Sequence, residues 1–210
     1  MNLVFPRLYA IIDPAFLNVS ELALAEALAG SGVELIQYRN KSGSTRQFFE
    51  KSLQLSKFLK PRGVRFIVND RPDVAFLADA GGVHVGQEDL PVEDARAVCG
   101  RDRWVGVSTH TLEQVAAADR TSADYIAFGP IFPTSTKQNP DAVVGTELLR
   151  RARKMTAKPL VAIGGITLDR AAEVYRAGAD SLAVIRDLTC AENPGARAKE
   201  FLEVAASALP

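Results

Sequence analysis

Eight short apolar segments recur along the chain at a mean spacing of roughly 25 residues, and this repeat restricts the possible folds more than any other feature. Most of them are apolar throughout and lack the alternation of a half-exposed strand, as is typical of parallel strands buried on both faces. The segments are residues 8–13, 34–39, 65–70, 82–86, 104–109, 125–130, 159–165 and 181–186.

Segments with helical periodicity follow these strands, which predicts an α/β protein built from repeated strand–helix units. Examples are residues 20–29, 44–59, 91–99, 112–118, 145–155 and 169–177. Eight such units predict a single (β/α)8 TIM barrel, and we expect it to occupy residues 1–210 as one domain. The alternative is a doubly wound sheet, which usually has fewer strands and a glycine-rich first turn. Residues 12–15 contain no glycine, so the barrel is favoured.

Composition excludes several classes of partner. The 25 basic and 25 acidic residues balance, so no net charge indicates nucleic acid or an anionic membrane as a partner. Cys99 and Cys190 are far apart, which supports neither a zinc site nor a redox pair. Charges interrupt every apolar run before the ~18 residues of a membrane span, and no signal peptide is recognisable. We therefore expect a soluble cytoplasmic domain, and a homo-oligomer is compatible with the sequence.

Polar residues concentrate where the predicted strands end, and the C-terminal strand ends are where barrels carry their active sites. The opposite strand ends carry little beyond structural residues. The polar and glycine residues at the expected site are Asp13, Gln37, Arg39, Lys41, Asn69, Asp70, Gln87, Glu88, Asp89, Ser108, Thr109, His110, Thr134, Ser135, Thr136, Lys137, Gly164, Gly165 and Arg186.

Two carboxylates in this set, Asp70 and Asp89, follow neighbouring strands without a histidine cluster nearby. Oxygen ligands of this kind favour a hard cation such as Mg²⁺, which typically binds one or two carboxylates together with substrate phosphate oxygens. Arg39, Lys41 and Lys137 supply the positive charge that a pyrophosphate requires.

A second anion site is indicated after strand 7, where Gly164 and Gly165 expose backbone N–H groups. Barrels frequently hold a single phosphate at this position. Two anions and one metal together suggest transfer of a group away from pyrophosphate.

Each of these residues also has a purely structural interpretation. Asp70 and Asp89 both precede a residue–proline pair and fit helix caps equally well. Lys137 fits a solvated loop. His84 lies in an apolar strand, which favours a core histidine over a catalytic one, and His110 fits either a site wall or a helix start.

Six segments in order resemble the thiamine phosphate synthase family, over residues 8 to about 188. They are QYRNK at 37–41, VNDR at 68–71, GVHVGQEDLP at 82–91, GVSTHT at 106–111, FGPIFPTSTK at 128–137 and AIGGI at 162–166. The resemblance implies a transferase that joins hydroxymethylpyrimidine pyrophosphate to a thiazole phosphate, giving thiamine phosphate and pyrophosphate. It also implies Mg²⁺ as cofactor, held by Asp70 and Asp89.

The resemblance assigns the remaining site residues. Arg39, Lys41, Ser108 and Lys137 would be catalytic. The implied substrate-binding residues are Gln37, Tyr38, Arg39, Asn40, Lys41, Asn69, Ser108 and Lys137 for the pyrimidine pyrophosphate region, and Thr134, Ser135, Thr136, Gly165, Ile185 and Arg186 for the thiazole phosphate. Strand alternation nevertheless predicts that Tyr38 and Asn40 point away from the cavity.

One position departs from the family, whose strand 8 usually ends in Ile-Ser where this chain has Ile185 and Arg186. Arg186 either strengthens the phosphate contact or points outward. Two alternatives to the synthase stay open, a thiazole tautomerase of the same barrel family and a non-catalytic phosphate-binding homologue. The tautomerase needs an acid/base residue and no metal–pyrophosphate site, and that branch typically lacks the Asn-Asp pair found here at 69–70. Residues 129–143 are long for a barrel connection and are expected to cover the substrates.

Overall fold

A computed structural model describes residues 5–134 and 141–208 and contains a closed barrel of eight parallel strands in chain order. The predicted TIM barrel is therefore confirmed. The strands are β1 (Leu8–Ile12), β2 (Leu35–Tyr38), β3 (Arg65–Asn69), β4 (Gly82–Val85), β5 (Trp104–Thr109), β6 (Tyr125–Phe128), β7 (Leu160–Ile163) and β8 (Ser181–Val184). Every residue of β1, β2, β4, β6 and β8 is buried, as expected for strands covered on both faces.

Helices surround the barrel on its outer face. They are α1 (Glu21–Ala29), α2 (Thr45–Leu59), α3 (Pro72–Leu77), α4 (Val92–Cys99), α5 (Leu112–Asp119), α6 (Gly145–Arg153), α7 (Leu168–Arg176), α8 (Arg186–Thr189) and α9 (Pro194–Ala208), with short 3₁₀ helices at Pro14–Phe16 and Lys60–Arg62. Polar side chains cap several of them, and the Ser44 side chain with Gln47 forms a complete capping box at α2. None of the described helices combines the length and apolar character needed to span a bilayer.

Seven of the eight strands are shorter than the apolar segments predicted, because those segments included residues that already turn toward the loops, whereas β5 has the predicted bounds. Pairing between β1 and β2 ends at Ile12 and Tyr38. The Arg39 amide still donates to the Ile12 carbonyl at 2.9 Å, but the chain then leaves the sheet. The polar residues at the strand ends therefore sit on short connections anchored by the barrel.

The structure has two apolar cores. The larger one lies between the strands and the surrounding helices, and the smaller one fills the barrel interior. In the interior, the rings of Phe5 and Trp104 stack with centroids 5.2 Å apart, and Tyr125 packs against both. This aromatic cluster fills the barrel interior below the C-terminal strand ends.

Gly106 on β5 makes room for this packing, because a Cβ atom there would overlap the ring of Tyr125. Gly106→Ala should therefore destabilise the fold by about 2–3 kcal/mol through overpacking of the barrel interior. Urea unfolding of the variant and the wild-type chain measures this difference.

Gly63→Ala is the matched control, since a Cβ at Gly63 meets nothing within 4 Å. The change is destabilising only because the backbone there is left-handed, with φ 73°. We expect about 1 kcal/mol for that change. Equal losses in the two variants would show that Tyr125 and Gly106 are not in tight contact.

Candidate active site

A cavity of about 810 Å³ opens at the C-terminal ends of the strands, directly above the aromatic cluster. The structure brings most of the sequence-predicted site residues to this cavity. Those that line it are Gln37, Arg39, Lys41, Asn69, Asp70, Gln87, Glu88, Asp89, Ser108, His110, Thr134, Gly164, Gly165, Ile185 and Arg186. The predicted residues Ser135, Thr136 and Lys137 lie outside the described residues, as do 138–140 of the predicted covering segment.

Tyr38 and Asn40 do not line the cavity, and strand alternation explains their position. Tyr38 is buried against α2, where its ring stacks on Phe48 at 5.2 Å, and burial raises its pKa to about 12. The Asn40 carboxamide oxygen accepts from the Ser42 and Gly43 amides at 3.0 and 3.1 Å. Asn40 thereby shapes the loop that carries the neighbouring Lys41.

Arg39 reaches the cavity as half of an ion pair with Asp13. The Asp13 carboxylate is almost fully buried and also accepts a hydrogen bond from the Ala15 amide at 3.1 Å. A carboxylate held in this way fixes the guanidinium in place before any ligand arrives. The sequence placed Asp13 at the strand end but did not indicate this positioning role.

Asp70 and Asp89 lie next to each other in the cavity wall. Burial raises the pKa of the Asp89 carboxyl, and the neighbouring Asp70 carboxyl raises it further, against the opposing effect of the Gly86 amide. That amide donates to Asp89 Oδ2 at 2.7 Å, and Lys41 forms an ion pair with Asp70.

Helix capping does not account for these two carboxylates. The residues at the N-caps of α3 and α4 are Arg71 and Pro91, and neither helix end receives a side-chain cap. Asp70 also has a left-handed backbone (φ 62°), which is uncommon outside glycine and is concentrated at functional sites.

The pair suits a hard divalent cation. Two carboxylates of like charge in contact repel each other, and Mg²⁺ prefers oxygen ligands of this kind with substrate oxygens completing its shell. Within residues 5–134 and 141–208, His, Cys, Asp and Glu form no group of three or more that could hold a metal alone. The donor set therefore fits a metal shared with a substrate and does not fit a closed structural site.

On the other side of the cavity, Gly164 and Gly165 follow β7 with φ of 98° and 63°. The Ile131 amide donates to Ile163 O at 2.9 Å, which ties the connection after β6 to this turn. A Cβ on either glycine would run into that connection, so the sequence has no room for side chains here. The turn brings backbone close to any ligand bound beside it.

Three comparisons with known proteins agree. Residues 8–188 match the family described as thiamine monophosphate synthase. A thiamine-phosphate synthase of Koribacter versatilis is 48% identical over 97% of both chains, and one of Chloroflexus aurantiacus is 44% identical over 93% of this chain and 90% of its own. A solved thiamine phosphate pyrophosphorylase from Pyrococcus furiosus superposes with a TM-score of 0.87 at 35% identity, over 97% of each chain. The chain belongs to the thiamine monophosphate synthase family. The resemblance found in the sequence is thereby confirmed.

Two arginines stand at the glycine-rich side of this thiamine monophosphate synthase fold. Arg186 lines the cavity and places its guanidinium 5.6 Å from the centre of the Phe16 ring. Arg170 also lines the cavity, donates to Gly165 O at 3.2 Å and covers the Phe132 ring at 4.6 Å. The sequence pattern did not indicate Arg170, because this residue lies in the first turn of α7 and not at a strand end.

His110 forms part of the cavity wall, which decides between its two interpretations. Its Nδ1 lies 2.7 Å from the Gly129 carbonyl, so this nitrogen carries the proton and donates. Its Nε2 is 3.5 Å from Asp141 Oδ2. His110 thus links the end of β5 to both ends of the connection that follows β6.

His84 is buried, as a core histidine would be, but it also lines the cavity and belongs to a chain of hydrogen bonds that the sequence did not indicate. Its Nδ1 lies 3.0 Å from the Tyr125 hydroxyl and its Nε2 lies 2.8 Å from Ser108 Oγ. Burial lowers the pKa of His84 to about 4, with Asp89 acting weakly in the opposite direction. The imidazole is therefore neutral at pH 7.

This burial predicts a pH dependence of stability. The unfolded chain binds a proton at His84 near pH 6.5, whereas the folded chain does so only near pH 4. The free energy of unfolding should therefore fall by up to about 3 kcal/mol as the pH is lowered through this window. Urea unfolding at steps between pH 7 and pH 5 measures the upper part of the slope.

His84→Gln should remove this contribution, whereas His110→Gln should retain it because His84 is still present. A wild-type stability that does not change between pH 7 and pH 5 would contradict the burial of a neutral His84.

Proposed function

We propose that this chain is a thiamine-phosphate synthase. It condenses hydroxymethylpyrimidine pyrophosphate with hydroxyethylthiazole phosphate to give thiamine phosphate and pyrophosphate. The observation that carries the proposal is one cavity with two chemically different sides. One side has the carboxylates Asp70 and Asp89 beside the cations Arg39 and Lys41, and the other has a glycine turn that suits a phosphate.

The reaction begins with cleavage of the bond between the pyrimidine methylene carbon and the pyrophosphate oxygen. Both bonding electrons leave with the oxygen. The amino group donates electrons through the pyrimidine ring to the methylene carbon, so the cation that remains is stabilised by the substrate itself. The protein must mainly stabilise the charge that develops on the departing pyrophosphate.

Arg39 and Lys41 would supply this stabilisation. Asp13 holds the Arg39 guanidinium in advance, so little reorganisation is needed when the negative charge develops. Lys41 stands on the Asn40 loop and pairs with Asp70. Lys137, assigned the same role by family resemblance, lies outside the described residues.

Asp70 and Asp89 would hold Mg²⁺ at this side of the cavity. When bound, the ion supplies Lewis-acid stabilisation of the leaving pyrophosphate. The Gly86 amide, which follows β4, holds the Asp89 carboxylate in place by a hydrogen bond. The left-handed backbone of Asp70 sets the direction of the Asp70 carboxylate.

The thiazole phosphate would bind at the opposite side. Gly165, Thr134 and the end of β8 line that part of the cavity, with Arg170 and Arg186 supplying positive charge. The lone pair of the thiazole nitrogen then forms the new bond to the methylene carbon, and holding both reactants in one cavity makes this step effectively unimolecular. No protein nucleophile takes part.

The tautomerase alternative requires an acid/base residue and no metal–pyrophosphate site. The adjacent carboxylates and the preformed Arg39–Asp13 pair support the synthase against it. A non-catalytic homologue would bind thiazole phosphate without turnover.

The deciding experiment is formation of thiamine phosphate from the two substrates with Mg²⁺ and then with EDTA. We expect metal-dependent product from the wild-type chain, and a loss of at least about 100-fold in kcat for Asp70→Asn, because a metal-binding carboxylate is removed. Asp73→Asn is the matched control, since the Asp73 side chain is 47% exposed, pairs with Arg71 and lies outside the cavity lining.

A folded wild-type chain that forms no product from these substrates would contradict the proposal. An Asp70→Asn variant that keeps full, metal-dependent turnover would contradict the assignment of the metal to this carboxylate.

Arg186 provides a second test, directed at the thiazole side. Arg186→Ser should raise the KM for thiazole phosphate by about tenfold with little change in the pyrimidine KM, as expected for loss of one charge-assisted contact. Steady-state kinetics with each substrate varied in turn separates the two values. Arg176→Ser, at an exposed position at the end of α7, is the control.

Equal changes in both KM values would show that Arg186 acts on the fold in general and does not contact the thiazole substrate.

A further inference from the structure

Two buried tyrosine hydroxyls connect residues on opposite parts of the cavity floor. Tyr9 on β1 and Tyr125 on β6 share a hydrogen bond of 2.8 Å, and both side chains are essentially inaccessible to solvent. Gln37 Nε2 donates to the Tyr9 hydroxyl at 2.7 Å. His84 then joins Tyr125 to Ser108. The result is one continuous chain from Gln37 to Ser108.

The direction of this chain follows from its first donor. The Tyr9 oxygen accepts from the Gln37 amide, and its own buried proton needs an acceptor; among the described residues the Tyr125 oxygen is the one within reach, so Tyr9 donates to it. Tyr125 in turn donates to His84 Nδ1, its remaining partner among the residues that the structure describes. A neutral imidazole that accepts at Nδ1 carries its proton on Nε2, which therefore donates to Ser108 Oγ.

The two ends of the chain thus receive opposite characters. The Gln37 side-chain N–H group donates to Tyr9, so its side-chain carbonyl oxygen is left to accept a hydrogen bond. Ser108 already accepts from His84, so its hydroxyl proton is available to donate. Gln37, Tyr9, His84 and Ser108 all line the cavity, whereas Tyr125 does not.

We infer that Tyr9 and Tyr125 are positioning residues that fix Gln37 as an acceptor and Ser108 as a donor toward an aminopyrimidine. This inference rests on the proposed function. An aminopyrimidine carries an amino group that donates and ring nitrogens that accept, which matches one acceptor and one donor on the floor. Burial of the chain makes a reversal costly, because every hydrogen bond in it would have to reverse together.

The packing around the two hydroxyls supports a role beyond filling space. Tyrosine hydroxyls buried in a core need partners, and a phenylalanine would fill the same volume without that requirement. Tyr175 provides a contrast within the same chain, since it is equally buried but donates to the Arg7 carbonyl at 2.8 Å, away from the cavity.

The first experiment reads the direction of the chain without using activity. Imidazole ¹⁵N NMR distinguishes the two tautomers of a neutral histidine, and the chain has only two histidines, so a His110→Gln sample assigns the signals. At pH 7 we expect His84 to carry its proton on Nε2. A proton on Nδ1 would make His84 donate to Tyr125 and Ser108 donate to His84, which would overturn the inference.

The second experiment tests the consequence for substrate binding. Tyr125→Phe and Tyr9→Phe each remove one hydroxyl, and we expect the KM for the pyrimidine pyrophosphate to rise about three- to tenfold while the thiazole phosphate KM stays within about twofold. Tyr175→Phe should leave both KM values unchanged, and circular dichroism should show all three variants folded.

The outcomes separate this inference from the proposed function. A wild-type protein without synthase activity contradicts the proposed function. In that case the tautomer of His84 still tests the direction of the hydrogen bonds between Gln37 and Ser108. An active wild-type chain whose Tyr→Phe variants change neither KM, or change both equally, overturns the positioning role alone.

Discussion

Closing eight parallel strands leaves an interior that only inward-facing side chains can fill, and the ring of Tyr125 lies at the centre of that space. It packs against Phe5 and Trp104 on one side and against Tyr9 and His84 on the other. The filled part of the barrel therefore ends at this ring, and the cavity begins above it. Because the ring fits only where β5 has no side chain, the depth of the cavity depends on one close contact inside the barrel.

The charged part of the site depends on the same rigidity. A left-handed backbone at a residue other than glycine costs of order 1 kcal/mol or more and persists only where its surroundings enforce it. At Asp70 the constraint comes from the amide, which donates to the His84 carbonyl at 2.7 Å and so joins the ends of β3 and β4. The barrel thereby keeps Asp70 beside Asp89, although their like charges favour separation.

Much of this arrangement could be predicted from the sequence because it follows from periodicity. Apolar strand segments alternating with helices specify a barrel, and barrel geometry places residues such as Asp70 and Arg39 at one end. Strand alternation likewise predicts that Tyr38 turns away from the cavity, which the stacking on Phe48 bears out. These inferences need only local pattern and the known geometry of the fold.

The remainder depends on which inward positions meet across the closed barrel. Tyr9 and Tyr125 are 116 residues apart, and the local sequence around each predicts only a core aromatic residue. Their hydrogen bond requires the register of β1 and β6 and the gap left by a glycine on a third strand. Arg170 could not be predicted for a related reason. Strand ends were expected to line the cavity, but the turn after β7 also brings the start of α7 to it.

Burial of His84 connects the stability of the fold with the arrangement of the site. A neutral imidazole has one donor and one acceptor, so it can accept from one neighbour and donate to the next. A protonated imidazole donates at both nitrogens and would face the Tyr125 hydroxyl as a second donor. The environment that lowers the pKa of His84 to about 4 therefore also preserves the single direction of the chain between Tyr125 and Ser108. Arg39, Lys41, Arg170 and Arg186 line the same cavity, so its charged side chains stand beside a hydrogen-bonded chain that is itself neutral.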